Sequence, residues 1–204
     1  NAGWIAHTDI LPIASPRILR QIPKFLADPL GPLSIRPAYL PRLLPWLVRF
    51  VLASRPQAYE RSIAGLAALQ GLALPAWLAR AESTGLTRHI HRNGGLYAFG
   101  DAGTMAAAGA VAKRQAEFGI RVEMLGPEEL RQLEPALQPR FAGAAFHPDS
   151  AHISDPQQLT LLLFEAALAR GAVFEKARID TVSTGERPAL IGPDGWQRVV
   201  DRAV

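Results

Sequence analysis

Four side chains able to coordinate a metal or move a proton stand close together in this sequence: His147, Asp149, His152 and Asp155. Neutral imidazole and carboxylate suit zinc or iron, and with Ser154 the same stretch supplies the members of a nucleophilic triad. Spacing argues against both. The four match no established ligand pattern, so no metal is expected, and Asp155 precedes Pro156 where a helix start would use its carboxylate as a cap. Ser154, His152 and Asp155 are too near in sequence to form the required line of hydrogen bonds, and no G-x-S-x-G elbow is present. The absence of cysteine excludes disulfides, thiolate metal sites and a cysteine nucleophile. His89 and His91 alternate on what reads as a solvated strand face, with His7 and Arg92 as further polar candidates. Tyr39, Tyr97 and Trp46 are aromatics of the kind that line a substrate cavity, although such rings more often fill a core. His152 and Tyr97 are carried forward as candidate pocket residues, and no catalytic residue is assigned.

The elements that must position these groups are marked by punctuation. Prolines crowd residues 9 to 56, which restricts helices there to short pieces at about 16–27 and 39–53. From Gln57 to Gly85 apolar residues recur at three-and-four spacing, Pro75 is expected to split the helix near Leu72, and Gly85 closes it. His89 to Gly100 reads as two short strands around Asn93-Gly94-Gly95, a hairpin or bulged strand. Thr104 is the expected cap of a helix from Met105 to Phe118 ended by Gly119, and Ile120 to Leu125 alternates as a strand. Pro127 with Glu128 and Glu129 opens a short helix. The best-marked helix is 156–170, with Asp155 as cap, Pro156 first, Gly171 last, and Leu159, Leu162, Leu163, Ala166 and Ala167 on its apolar face. Strands are expected at 142–147, 152–153, 173–176 and 179–183, then a hairpin of 187–192 with 196–204 turning at Pro193-Asp194-Gly195. This alternation gives an α/β or α+β class.

Composition is that of a folded protein: 49% hydrophobic and 20% charged over 204 residues. The net charge of +4 comes from arginines scattered along the chain, which gives no nucleic-acid footprint. The longest apolar stretch, Leu43 to Ala53, is too short to span a bilayer and is interrupted by Pro45 and Arg49. Two readings of it stand side by side: a helix lying on a membrane surface with Trp46 and its arginines at the interface, or a buried helix packing on its neighbours. The second is favoured, since interfacial helices usually show a more strongly charged polar face.

Three motifs together carry a family resemblance: Asn1-Ala2-Gly3-Trp4-Ile5, Leu133-Glu134-Pro135-Ala136-Leu137, and His152-Ile153-Ser154-Asp155-Pro156 leading into a helix. They resemble flavin-dependent amine and amino-acid oxidoreductases of the D-amino-acid oxidase type, bacterial D-amino-acid dehydrogenases above all. The resemblance implies a two-domain FAD-binding fold with a mixed-sheet substrate domain and a helical insertion. It divides the chain into a remnant of the FAD-binding domain (1–8), a helical, proline-rich segment (9–85), substrate-domain strands and helices (86–150), and a return into the FAD-binding domain (151–204). FAD is the implied cofactor, with Asn1, Ala2 and Gly3 beside the flavin and the main chain of Ile179 at the adenine, its side chain facing the core. The family's G-x-G-x-x-G turn is missing, so the sequence reads as an internal piece of a longer enzyme, inactive by itself. The implied activity is oxidation of the C–N bond of a D-amino acid through hydride transfer to flavin N5, giving keto acid and ammonia, with quinone or oxygen as acceptor. The implied carboxylate-binding arginine lies in the C-terminal half beyond this piece. Other expectations are a glycine- or sarcosine-oxidase-like activity, or a non-catalytic α/β fragment serving as an interaction module. The expected location is cytoplasmic, with peripheral contact at the inner face of the cytoplasmic membrane.

Overall fold

The computed structural model describes residues 3–27, 36–137, 140–185 and 187–203, in two compact units, Asn1–Leu159 and Thr160–Val204. In the first unit, strand β1 (Trp4–Ile5) leads to helices α1 (Pro16–Ala27), α2 (Leu40–Ala53), α3 (Pro56–Gln70) and α4 (Ala73–Thr84). There follow β2 (Ile90–His91), β3 (Gly95–Phe99), α5 (Ala102–Ala116), β4 (Glu123–Leu125), α6 (Pro127–Leu133), β5 (Gly143–His147) and β6 (Ala151–Ile153). Helix α7 (Pro156–Ala169) leads into the second unit, which holds β7 (Thr181–Ser183), β8 (Ala189–Ile191) and β9 (Gln197–Val199).

Helix ends follow the expected chemistry. Gly71 and Leu72 separate α3 from α4, which leaves Pro75 in the first turn of α4, where its missing N–H costs no helical bond. Gly85 then adopts the left-handed conformation, φ 71°, that terminates α4. The whole stretch Pro56–Thr84 is long and apolar enough to cross a membrane, but the break leaves helices of 15 and 12 residues, each shorter than a hydrocarbon core of about 30 Å. Asp155 caps α7, its carboxylate accepting the Gln158 N–H at 2.9 Å. Helix α5 differs from expectation: Asp101, not Thr104, is the cap, its Oδ1 accepting the Thr104 N–H at 2.9 Å. A carboxylate satisfies the exposed amide and complements the helix dipole as well.

The first unit holds two three-stranded antiparallel sheets, ordered β1-β6-β2 and β3-β5-β4. Residues 89–100 therefore do not form a hairpin. Strand β2 pairs with β6, placing His91 opposite His152, while β3 pairs with β5, placing Gly95 opposite His147. Gly94, at φ 78°, turns the chain from one sheet to the other. Strand β6 sits between β1 and β2, and Ile5, Ala151 and Leu74 form a core to which Trp77, Leu78, Ile90 and Ile153 add. Helix α5 covers the face of the second sheet that carries Gly143, Ala145 and His147: a side chain at Gly143 would collide with Met105. Gln115 of α5 donates from Nε2 to the Thr8 carbonyl at 2.9 Å, a buried bond that fixes the loop after β1.

In the second unit, β7-β8-β9 form an antiparallel sheet turning at Pro193-Asp194-Gly195 as expected. The strand expected at 173–176 does not form, and the one expected at 179–183 is confined to Thr181–Ser183. Apolar residues with strand propensity hold a strand only where a neighbour completes the ladder, and among the described residues none does.

Candidate functional site

The loop that follows β1 carries chemistry into the junction of the two sheets of the first unit. Trp4 lies opposite His152 in the ladder, and its indole covers Gly95 so closely that a Cβ there would stand 1.7 Å from the ring. Only hydrogen fits at that position. Tyr97, two residues on and so on the same face of β3, meets Trp4 edge-on at 6.1 Å between centroids and His147 edge-on at 5.5 Å. These three rings stand nearly perpendicular in succession, with interplanar angles of 80° and 74°. Their edge-to-face geometry is the favourable one for aromatic quadrupoles.

Tyr97, His147 and Asp9 share a cavity of about 300 Å³ whose other walls include Phe99, Val111 and Gln115. His147 is 5% exposed, and burial holds its imidazole below the ordinary range; the Asp9 carboxylate pulls it upward and His7 pushes it further down. The tyrosine is shifted up by burial and then by the Asp9 charge. Both rings are consequently neutral near pH 7, and the cavity's charge is the single negative one of Asp9. Trp4 Nε1, Thr8 Oγ1, His147 Nδ1 and Ser150 Oγ are buried without a hydrogen-bond partner among the described residues. A cavity with apolar walls, aromatic edges, one carboxylate and neutral polar groups suits a small organic cation.

The residues singled out in the sequence fall differently. Tyr97 lines this cavity, whereas His152 does not; its ring stacks on His91 at 5.2 Å in the middle of the first sheet. His89 is not on a solvated strand face: it ends the 3₁₀ turn Thr87–His89 and is buried at 7% exposure, next to Arg88, because the strand begins only at Ile90. His91 is exposed on β2. No metal cluster occurs among the described residues; Asp149 pairs with Arg121 at 3.2 Å and Asp155 caps α7. Tyr39 and Trp46 are exposed and do not pack into a core. Asn1 and Ala2 lie outside the described residues. Ile179 belongs to no strand, and its side chain is 40% exposed instead of facing a core, since the strand expected around it lacks a ladder. Asp9, His147 and Gln115 were not marked as pocket residues by the sequence. The one available signal was a polar side chain on the same face as Gly143 and Ala145 in an otherwise apolar strand.

Gly3 and the start of α5 do not by themselves make a pyrophosphate cradle. The close approach that makes Gly3 small is to its own fold: a Cβ there would lie 2.5 Å from the Ile153 carbonyl oxygen. The start of α5, between Gly100 and Gly103, is occupied by the Asp101 carboxylate, a negative charge where a pyrophosphate would need bare amides.

The profile of the DAO family, described as FAD dependent oxidoreductase, matches residues 11–201. A D-amino-acid oxidase of Bradyrhizobium diazoefficiens is 35% identical over 181 residues, 87% of this chain and 42% of that protein. D-amino acid dehydrogenase 2 of Ralstonia nicotianae is 31% identical over 173 residues, 83% of this chain and 40% of that protein. In structure the chain resembles the glycine oxidase of Geobacillus kaustophilus, with a TM-score of 0.54 and 15% identity over 98% of this chain and 42% of that one. That likeness shows a shared fold. The chain thus spans about two fifths of the length of the curated relatives it matches.

Proposed function

We propose, from the premise that this chain belongs to the DAO family of FAD dependent oxidoreductases, that the whole protein oxidises the C–N bond of D-amino acids. The observation that carries this reading is the 35% identity to a D-amino-acid oxidase across 87% of the chain. In the net reaction the substrate loses two electrons and two protons to become an imine, and water then releases keto acid and ammonia. The electrons pass to an acceptor of the quinone or oxygen class. The family's flavin supplies the redox capacity.

This chain's own residues contribute binding and orientation. Asp9 attracts the substrate's ammonium form, Tyr97 and the neutral His147 leave that attraction uncancelled, and Phe99 and Val111 exclude water from the substrate's apolar body. Gly3 and the main chain at Ile179 are the proposed contacts to FAD, and the pyrophosphate cradle has to come from elsewhere in the protein. The chain by itself is accordingly proposed not to turn over substrate.

The test uses the full-length protein loaded with FAD, offered D- and L-amino acids, glycine and sarcosine, with a dye acceptor and with oxygen. Keto acid and ammonia from the D-enantiomers, at kcat/KM values well above those for glycine and the L-enantiomers, are expected. Preference for glycine, sarcosine or L-amino acids would overturn the assignment.

A further inference from the structure

We propose that the first unit holds a second binding cavity, built partly by the loop that carries Asp9, and that it takes a small α-amino acid in its zwitterionic form. The inference comes from the wall of that cavity and is independent of which amine the enzyme oxidises.

The cavity has a volume of about 250 Å³, less than the roughly 300–1,000 Å³ that accommodates drug-sized ligands, so its occupant is small. The loop after β1 faces both cavities: Asp9 lines the one beside Tyr97, and His7, Thr8 and Ile10 line this one. Thr8 is 1% exposed, and its Oγ1 has no hydrogen-bond partner among the described residues. A buried hydroxyl left in that state costs stability, and a ligand in the cavity would complete it. Gln115 holds the Thr8 carbonyl at 2.9 Å, so the main chain that presents this hydroxyl is anchored. His7 donates from Nδ1 to the Ile5 carbonyl at 3.2 Å. That bond fixes the tautomer and leaves Nε2 of the neutral ring as an acceptor.

Charge selects the ligand. The fixed charges lining the cavity are one of each sign, Arg121 and Asp149, joined at 3.2 Å. Their side chains are 60% and 54% exposed, and an ion pair in such solvated surroundings holds weakly, so a ligand can part it. An anion alone would meet the Asp149 carboxylate, and a cation alone the Arg121 guanidinium. A molecule bearing both charges satisfies both. Its carboxylate accepts from the remaining N–H groups of Arg121, whose planar fork suits that group, and from the Thr8 hydroxyl. Its ammonium donates to Asp149 and to His7 Nε2. Ile10, Phe118 and Ile120 supply apolar wall for a short aliphatic side chain.

The experiment is a titration of the FAD-loaded full-length protein, labelled with nitrogen-15 at histidine, with L-alanine, acetate and ethylammonium in the absence of an electron acceptor. The imidazole resonances are followed, and His7→Gln identifies the His7 signal. Expected are a saturable shift of that signal with L-alanine and much weaker binding of acetate and of ethylammonium, each of which meets one charge only. Asp149→Asn should turn the preference toward acetate and Arg121→Gln toward ethylammonium, with L-alanine weakened by about two- to fivefold in each. Thr8→Val should weaken L-alanine by about fivefold. Its melting temperature should equal or exceed that of wild type, because the hydroxyl has no partner among the described residues to lose. A His7 resonance unmoved by L-alanine would mean that the cavity holds water only, and would overturn the proposal. So would acetate or ethylammonium binding wild type as tightly as L-alanine, or a lower melting temperature of Thr8→Val. These readouts need no turnover, so the assignment of the oxidised substrate stands or falls separately.

Discussion

Placing a methyl group on Gly95 should displace the Trp4 indole and uncouple the two sheets of the first unit. The added Cβ would sit 1.7 Å from Trp4 Cη2 and 2.2 Å from Cζ3, against a normal carbon–carbon contact of about 3.5–4.0 Å. The ring would have to retreat by roughly 2 Å to relieve that overlap. Gly95 is itself buried and paired with His147, so the strand cannot yield instead without breaking the ladder. Over-packing of a closed site costs about 1–3 kcal/mol, and loss of the Trp4–Tyr97 edge contact adds about 0.5–1.5 kcal/mol. Together Gly95→Ala should destabilise by about 2–4 kcal/mol. Chemical unfolding of the full-length protein, followed by near-ultraviolet dichroism, reads this as a lower midpoint at unchanged slope. The decisive control is the same substitution in a Trp4→Leu background, where the collision is gone and Gly95→Ala should cost less than about 1 kcal/mol, a coupling of 1–3 kcal/mol between the sites. Equal costs in both backgrounds would refute the steric argument, as would a neutral Gly95→Ala.

Removing the cavity's charge with Asp9→Asn should raise KM for amino-acid substrates by about three- to tenfold, the worth of one partly solvated ion pair near 1 kcal/mol, while kcat changes little; an unchanged KM would place the ammonium elsewhere. For His147 the folded imidazole titrates below the unfolded one, so the stability it protects is complete above pH about 6.5 and is lost as pH falls through the unfolded value toward the folded one. Unfolding midpoints should therefore drop between pH 7.5 and 5.5 by more in wild type than in His147→Asn, and parallel drops would refute the assignment. Asp9→Asn should steepen that acid loss, because the carboxylate opposes the effect of burial on His147.

Local punctuation was legible in the sequence because its chemistry is local. The Asp155–Pro156 start of α7, the αL glycine at 85 and the turn at Pro193-Asp194-Gly195 each involve residues within a few positions of one another. Pairing partners were not legible. Asn93-Gly94-Gly95 carries a hairpin signal, yet β2 and β3 find their partners in β6 and β5, far along the chain, because the packing of Trp4 on Gly95 rewards the turn out of plane more than a hairpin would. The cavity was hidden for the same reason: Asp9, Tyr97, Gln115 and His147 come from four separate elements, and no spacing rule connects them.

Burial also sorts the exposed apolar surfaces into kinds that need different partners. Residues 172–179 form no ladder, with Val173 and Phe174 exposed, and their charges are balanced within the second unit: Glu175 pairs with Arg198 and Arg178 with Asp180. An extended segment of this kind lacks a ladder as well as cover, and another strand can supply both. Helix α2 is the opposite case. Its backbone is satisfied internally except at its termini and at Pro45, and what its exposed face lacks is apolar cover alone. A strand partner would give it nothing. The same test separates the two experimentally: covering residues 172–179 should slow amide exchange along the main chain there, whereas covering α2 should leave its main-chain protection almost unchanged.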